Sequence, residues 1–181
     1  MTSTETTGTE QATSTTQVHR VYIKAAPERI WQAITDPEWN GRYGYAAPAE
    51  YDLTAGGTYR AVASESMKEG AAAMGWELPE VIVDGEVLEA DPPRRLVQTW
   101  RMAMDPTAKA EGFSRLTWEI EGPGQDGVCR LTVTHELDGM PSLAAMTSGD
   151  NEFGEMGGGG WPWILSDLKT LLETGEAFPK G

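Results

Sequence analysis

The stretch SRLTWEIEGPGQDGVCRLTVTHEL, residues 114–137, constrains this chain more than any other. Leu116, Trp118 and Ile120 alternate with Thr117, Glu119 and Glu121, and Leu131, Val133 and His135 repeat the pattern against Thr132, Thr134 and Glu136. Successive side chains of a strand point to opposite faces, so the stretch is expected to form a hairpin closed around residues 122–127, with one face buried and the other wet. An antiparallel sheet with one apolar face needs a cover, and the rest of the chain has to supply it.

Two more hairpins extend the same sheet. YDLTAGGTYRAVAS places a glycine pair between short strand-like runs, and VIVDGEVLEADPPRRLVQTWRM runs as a strand to about Ala90, a turn at Asp91-Pro92-Pro93 and a strand over residues 96–102. Before them, VHRVYIK from Val18 reads as a first strand. APERIWQAITDP then reads as a short helix, with Pro27 in its first turn, Glu28 at its positive end, Ile30, Ala33 and Ile34 on one face, and Pro37 as its stop. The cover comes last, in GGGGWPWILSDLKTLLETG. Gly160 is a plausible cap, Pro162 suits the first helical position, and Trp161, Ile164, Leu165, Leu168, Leu171 and Leu172 form one stripe that ends at Gly175. The four glycines are expected either to act as a linker or to let the preceding loop swing as a gate.

At 181 residues the chain suits one domain, over residues 18–178, while residues 1–17, almost wholly Thr, Ser, Glu, Gln and Gly, are expected to form a disordered tail. The net charge of −14 opposes binding to nucleic acid or an anionic membrane. Without a long apolar run or a signal-like start, a cytoplasmic location is the expectation. The lone Cys129 forms no internal disulfide, and two histidines, His19 and His135, are too few for an ordinary zinc site. Phosphate-loop, dinucleotide-binding and G-x-S-x-G signatures are missing, so no cofactor or metal is expected, and Glu119 with Glu121 form a carboxylate pair on the wet face.

In their order, APERIWQAITDPE, GGTYR, GEVLEADPPRRLVQTWR, RLTWEIE, RLTVTHE and GGWPWILSDLKTLLETGE resemble the helix-grip superfamily of START domains, birch-pollen-allergen-like proteins and polyketide cyclases. The nearest likeness is to its bacterial branch named after the C-terminal domain of the heat-shock protein 90 ATPase activator. The resemblance implies an α+β fold, a curved antiparallel sheet wrapped around a long C-terminal helix, often with a hydrophobic cavity between them. Residues 64–80 and 140–160 depart from the branch, and in the superfamily such regions lie near the cavity mouth.

Ligand contacts are therefore sought on the apolar face. Trp100, Met102 and Trp118 either wall a cavity or fill a core, Trp161 lies on the helix stripe, and Trp163 lies off it as a ligand contact or an exposed anchor. Tyr43, Tyr45 and Tyr59 can orient a polar group, and Met67, Met74, Met140, Met146 and Met156 fall in the two divergent regions. His135, an ionisable group in the apolar register, is the candidate for a general base or a ligand hydrogen bond. Three functions are compatible with this pattern: binding of a small hydrophobic or aromatic molecule without catalysis, a cyclase or aromatase of the polyketide kind, and activation of a chaperone ATPase. Oligomeric state is not readable from it.

Overall fold

The computed structural model describes residues 15–154 and 157–180. Its frame is a seven-stranded antiparallel sheet in the order β1-β7-β6-β5-β4-β3-β2. The strands are β1 (Thr16–Ile23), β2 (Ala49–Tyr51), β3 (Thr58–Val62), β4 (Val81–Asp91), β5 (Arg95–Met102), β6 (Ser114–Glu121) and β7 (Cys129–Glu136). The three expected hairpins are β2–β3, β4–β5 and β6–β7, and the register brings Leu116 against His135 and Trp118 against Val133 as the alternation requires. β1 starts two residues before Val18 and closes the far edge against β7, pairing Thr16 with Glu136 through Ile23 with Cys129. Of the expected N-terminal tail, residues 1–14 lie outside the described residues, and the Thr15 carbonyl accepts from the Leu137 N–H. Register shifts at Ala61/Val62 and Val87/Glu89 mark bulges, which bend strands and curve the sheet.

On the outer face, Glu119 and Glu121 are each held by an arginine, Arg95 and Arg130, with N–O separations of 2.6 Å. This uses up the carboxylate pair in half-exposed ion pairs worth under about 1 kcal/mol each.

The expected short helix is α1 (Pro27–Thr35), whose Ile30, Trp31, Ala33 and Ile34 are buried; it is followed by a turn of helix, α2 (Pro37–Asn40). Asn40 ties this corner to the sheet. Its amide donates to the carbonyls of Ile34 (3.1 Å) and Ala49 (2.8 Å) and accepts from the Ala49 N–H (2.8 Å).

Three further helices sit in segments that show neither alternation nor helical periodicity. They are α3 (Glu65–Ala73), α4 (Pro106–Glu111) and α5 (Pro141–Thr147).

The cover is α6 (Gly160–Thr174). Trp161, Leu165, Leu168 and Leu171 are buried, each worth about 1.5–3 kcal/mol of transfer free energy or more for the indole, and Gly175 ends the helix with its N–H on the Leu171 carbonyl. The glycines before it are packed rather than slack. A Cβ on Gly160, at φ +64°, would lie 2.5 Å from the Thr147 carbonyl oxygen, and one on Gly158 would lie 2.4 Å from that of Gly149. At Gly158 and Gly160 glycine is required because the start of α6 presses backbone to backbone against the end of α5 and the residues just after it, while a Cβ on Gly157 would meet the Trp163 ring and both Gly157 and Gly159 have positive φ.

Candidate functional site

Small side chains at the open end of the sheet leave space that α6 does not fill. Ala49 and Ala61 face each other across β2 and β3, with Gly44 and Ala47 in the preceding loop, and a cavity of about 670 Å³ lies over them. Its floor is Tyr51, Tyr59, Ile82, Val83, Trp100, Met102 and Trp118 from β2 to β6. Its roof is Gly160, Trp161 and Ile164 of α6, with Ala145, Met146 and Thr147 of α5, and its sides are Tyr43, Tyr45 and Met67 of α3. Both divergent regions thus supply wall residues, as expected for segments at a cavity mouth.

The sequence-predicted residues separate into two groups. Trp100, Met102, Trp118, Trp161 and Tyr59 come together around the cavity, as do Tyr43 and Tyr45. His135 and Trp163 are not among its lining residues. Trp163 turns away, its ring 4.9 Å from that of Phe178, and packs over Gly157. Of the divergent-region methionines, Met67 and Met146 line the space, Met140 packs on the core, Met74 is exposed, and Met156 lies outside the described residues.

His135 is fully buried behind two of the wall tryptophans. The Trp161 indole N–H donates to Nδ1 (3.2 Å), so the neutral ring carries its proton on Nε2, 2.6 Å from Ser114 Oγ. Ser114 in turn donates to the Trp100 carbonyl (2.9 Å). Burial pushes the His135 pKa down to about 3, which keeps the ring neutral and makes it a poor base near pH 7. Its chemistry is positional. The Trp100 and Trp161 rings meet it edge-on at 5.5 and 5.8 Å, so one imidazole fixes the floor and the roof of the cavity together.

Sequence reasoning also missed several buried polar residues, of which Asp167 and Gln98 bear most on the site. Asp167, on α6, accepts from the N–H groups of Gly44 (2.8 Å) and Phe178 (2.6 Å) and pairs with Lys180, tying the cavity wall and the C-terminal segment to the helix. Gln98, on β5, is fully buried in the same register as Leu96, Trp100 and Met102. Neither of its amide atoms completes a hydrogen bond, a deficit of about 1–3 kcal/mol for each group left unpaired. Its signal was visible as a polar residue at an alternating apolar position of β5.

Among the described residues, no group of three or more His, Cys, Asp or Glu side chains could hold a metal ion, and no helix is long and apolar enough to cross a membrane.

Solved structures share this architecture. Protein MLL2253 from Mesorhizobium loti matches with a TM-score of 0.60 at 21% identity, over 88% of this chain and 97% of that one. The Aha1 dimer from Colwellia psychrerythraea matches at 0.57 and 18% identity, over 90% and 99%. DynU16, described as a putative protein in the dynemicin biosynthetic locus, matches at 0.57 and 20% identity over 90% of this chain; the chain spans about half of that protein, 48%. These likenesses establish the helix-grip fold. Among curated proteins none matches the sequence. The profile of one family does match, across residues 24–173, and the chain belongs to that family, the Activator of Hsp90 ATPase homolog 1-like proteins.

Proposed function

We propose that the protein binds a small hydrophobic or aromatic molecule between the open half of the sheet and the start of α6. The observation that carries this reading is the cavity of about 670 Å³, walled by tryptophan, tyrosine, methionine and alanine. Ligand sites are commonly concave spaces of roughly 300–1,000 Å³ with mostly apolar walls and a few polar groups. Trp100, Trp118, Trp161, Tyr59 and Met102 are the proposed contacts, and Met67 and Met146 at the sides can adjust to differently shaped ligands. His135 enters as the residue that positions Trp161 and Trp100, with both ring nitrogens occupied, so the proposal is binding without catalysis.

The test is native mass spectrometry of the freshly purified protein with extraction of any retained molecule, followed by a titration with pyrene read by energy transfer from tryptophan. Retention of an apolar molecule, or saturable pyrene binding that Ala61→Phe weakens by roughly tenfold or more while the protein stays folded, supports the proposal. An empty protein that binds no pyrene contradicts it.

A further inference from the structure

The floor of the cavity carries more hydrogen-bonding capacity than the protein uses. Tyr51 and Tyr59 line it with their rings 4.6 Å apart, and their hydroxyls lie close to one another, to the Gln98 amide and to the Trp100 indole. Gln98 has no exposed surface, yet its Nε2 and Oε1 both lack a partner at bonding geometry. Trp118 is its diagonal neighbour across β5 and β6, since Leu96 opposes Trp118 and Gln98 opposes Leu116. The Trp118 indole N–H is also buried and unpartnered. Buried polar groups are nearly always satisfied, so such a concentration beneath an apolar cavity calls for an explanation.

The electrostatics narrow that explanation. Among the described residues, those lining the cavity include no lysine, arginine or histidine. The Asp167 carboxylate that holds the Gly44 backbone in the wall already takes up the Lys180 ammonium, and the whole chain carries a net charge of −14. A ligand carboxylate entering here would lose its water and meet no cation. Burial raises the Tyr59 phenol to about 12 and Tyr51 well above its ordinary range, so both remain protonated and able to donate as well as accept.

We infer that the cavity selects apolar molecules bearing a neutral hydroxyl or carbonyl group, received by the Tyr51 and Tyr59 hydroxyls with Gln98 behind them, and disfavours carboxylates of the same skeleton. Gln98 is a positioning residue. Its carbonyl can accept from a tyrosine hydroxyl, leaving that oxygen to receive a ligand hydroxyl, or its amide can donate, leaving the tyrosine to donate to a ligand carbonyl. The inference rests on the binding role proposed above and specifies the ligand class.

Three probes of one shape test it at pH 7: pyrene, 1-hydroxypyrene, whose phenol-like hydroxyl is uncharged there, and 1-pyrenecarboxylate. The hydroxyl compound is expected to bind about tenfold tighter than pyrene, the increment of one well-made buried hydrogen bond, and the carboxylate at least about tenfold weaker than the hydroxyl compound. Tyr59→Phe keeps the ring, and Gln98→Leu removes an unsatisfied amide in favour of a similar apolar volume. Each is expected to bring the hydroxypyrene-to-pyrene ratio close to one, whatever it does to the affinity for pyrene itself. A purely structural role for Gln98 would move all three affinities together. Equal affinities for pyrene and hydroxypyrene, a preference for the carboxylate, or a ratio unchanged in both variants would overturn the inference and leave the binding role standing. Failure of all three probes to bind would overturn the binding role and this inference with it.

Discussion

Beneath the C-terminal half of α6, Leu165, Leu168 and Leu171 are buried in one core with Ile23, Leu131 and Val133 of β1 and β7, all at 3% exposure or less. From β2 across to Trp118 of β6 the same inner face instead looks into a cavity of about 670 Å³. Both halves come from alternating strands, and what separates them is side-chain volume. Leucine, isoleucine and valine interlock in the first half. In the second, alanine at positions 47, 49 and 61 and glycine at 44 leave room between large aromatics. The lesson is that an apolar stripe specifies a buried face, while the size of the residues on that face decides whether burial ends in a packed core or a chamber.

The largest effect should come from opening the packed half. Leu168→Ala is expected to reduce unfolding free energy by about 2–5 kcal/mol in a denaturant titration, because the site is closed on all sides, while the folded fraction keeps its pyrene affinity. A loss below ~1 kcal/mol would show that this half is not close-packed.

Asp167 stands between the halves, with one oxygen on the cavity-wall amide of Gly44 and the other on the amide of Phe178. Asp167→Asn keeps the size and removes the charge that Lys180 pairs with. The expected cost is about 1–3 kcal/mol, accompanied by weaker pyrene binding as the wall residue loses its anchor. A loss of stability with unchanged affinity would separate the two halves more sharply than this account does.

The mildest effect is a slope with pH. His135 has a folded pKa of about 3 against an ordinary 6.5, so above pH 6.5 neither state is protonated and its environment carries no penalty. Below 6.5 the unfolded chain takes up a proton that the folded ring refuses, and stability falls by up to about 1.4 kcal/mol per pH unit until the folded pKa is reached. Between pH 6.5 and 5, before most carboxylates titrate, the expected loss is about 1.5–2 kcal/mol. His19, also lowered by burial, acts in the same direction, so the informative comparison is the shallower slope of His135→Gln. Identical slopes would place the sensitivity elsewhere.

The packed half was far more legible in the sequence than the hollow one. Alternation in β6 and β7 and the leucine spacing of α6 report burial directly, since a period is visible wherever one face meets a core. The hollow half is assembled from short pieces without a period. α4 and α5 are one or two turns each, announced only by Pro106 after a capping Asp105 and by Pro141 after Met140. α3 is alanine-rich and mostly exposed, and only the Ser64 side chain, accepting from the Met67 N–H, marks its start. The wall tryptophans and Tyr59 were readable because they lie on strands or on the helix stripe. His135 was readable as an apolar-face residue, yet its contacts with Ser114 and Trp161 depend on pairing across the sheet and helix, which no local pattern encodes. The tetraglycine is the sharpest case. Its composition signals flexibility, while its actual constraints are the close backbone approach at Gly158 and Gly160 and the positive φ of Gly157, Gly159 and Gly160.

The most direct test of the central claim is a two-dimensional amide and indole NMR titration with 1-hydroxypyrene. The account predicts that shifts concentrate at the indole N–H groups of Trp100, Trp118 and Trp161 and at the amides of Gly44, Tyr59 and Met146, with Leu168, Leu171 and the outer-face residues Glu119 and Glu121 unmoved. Shifts confined to the outer face or to the C-terminal half of α6, or none at saturating probe, would contradict it.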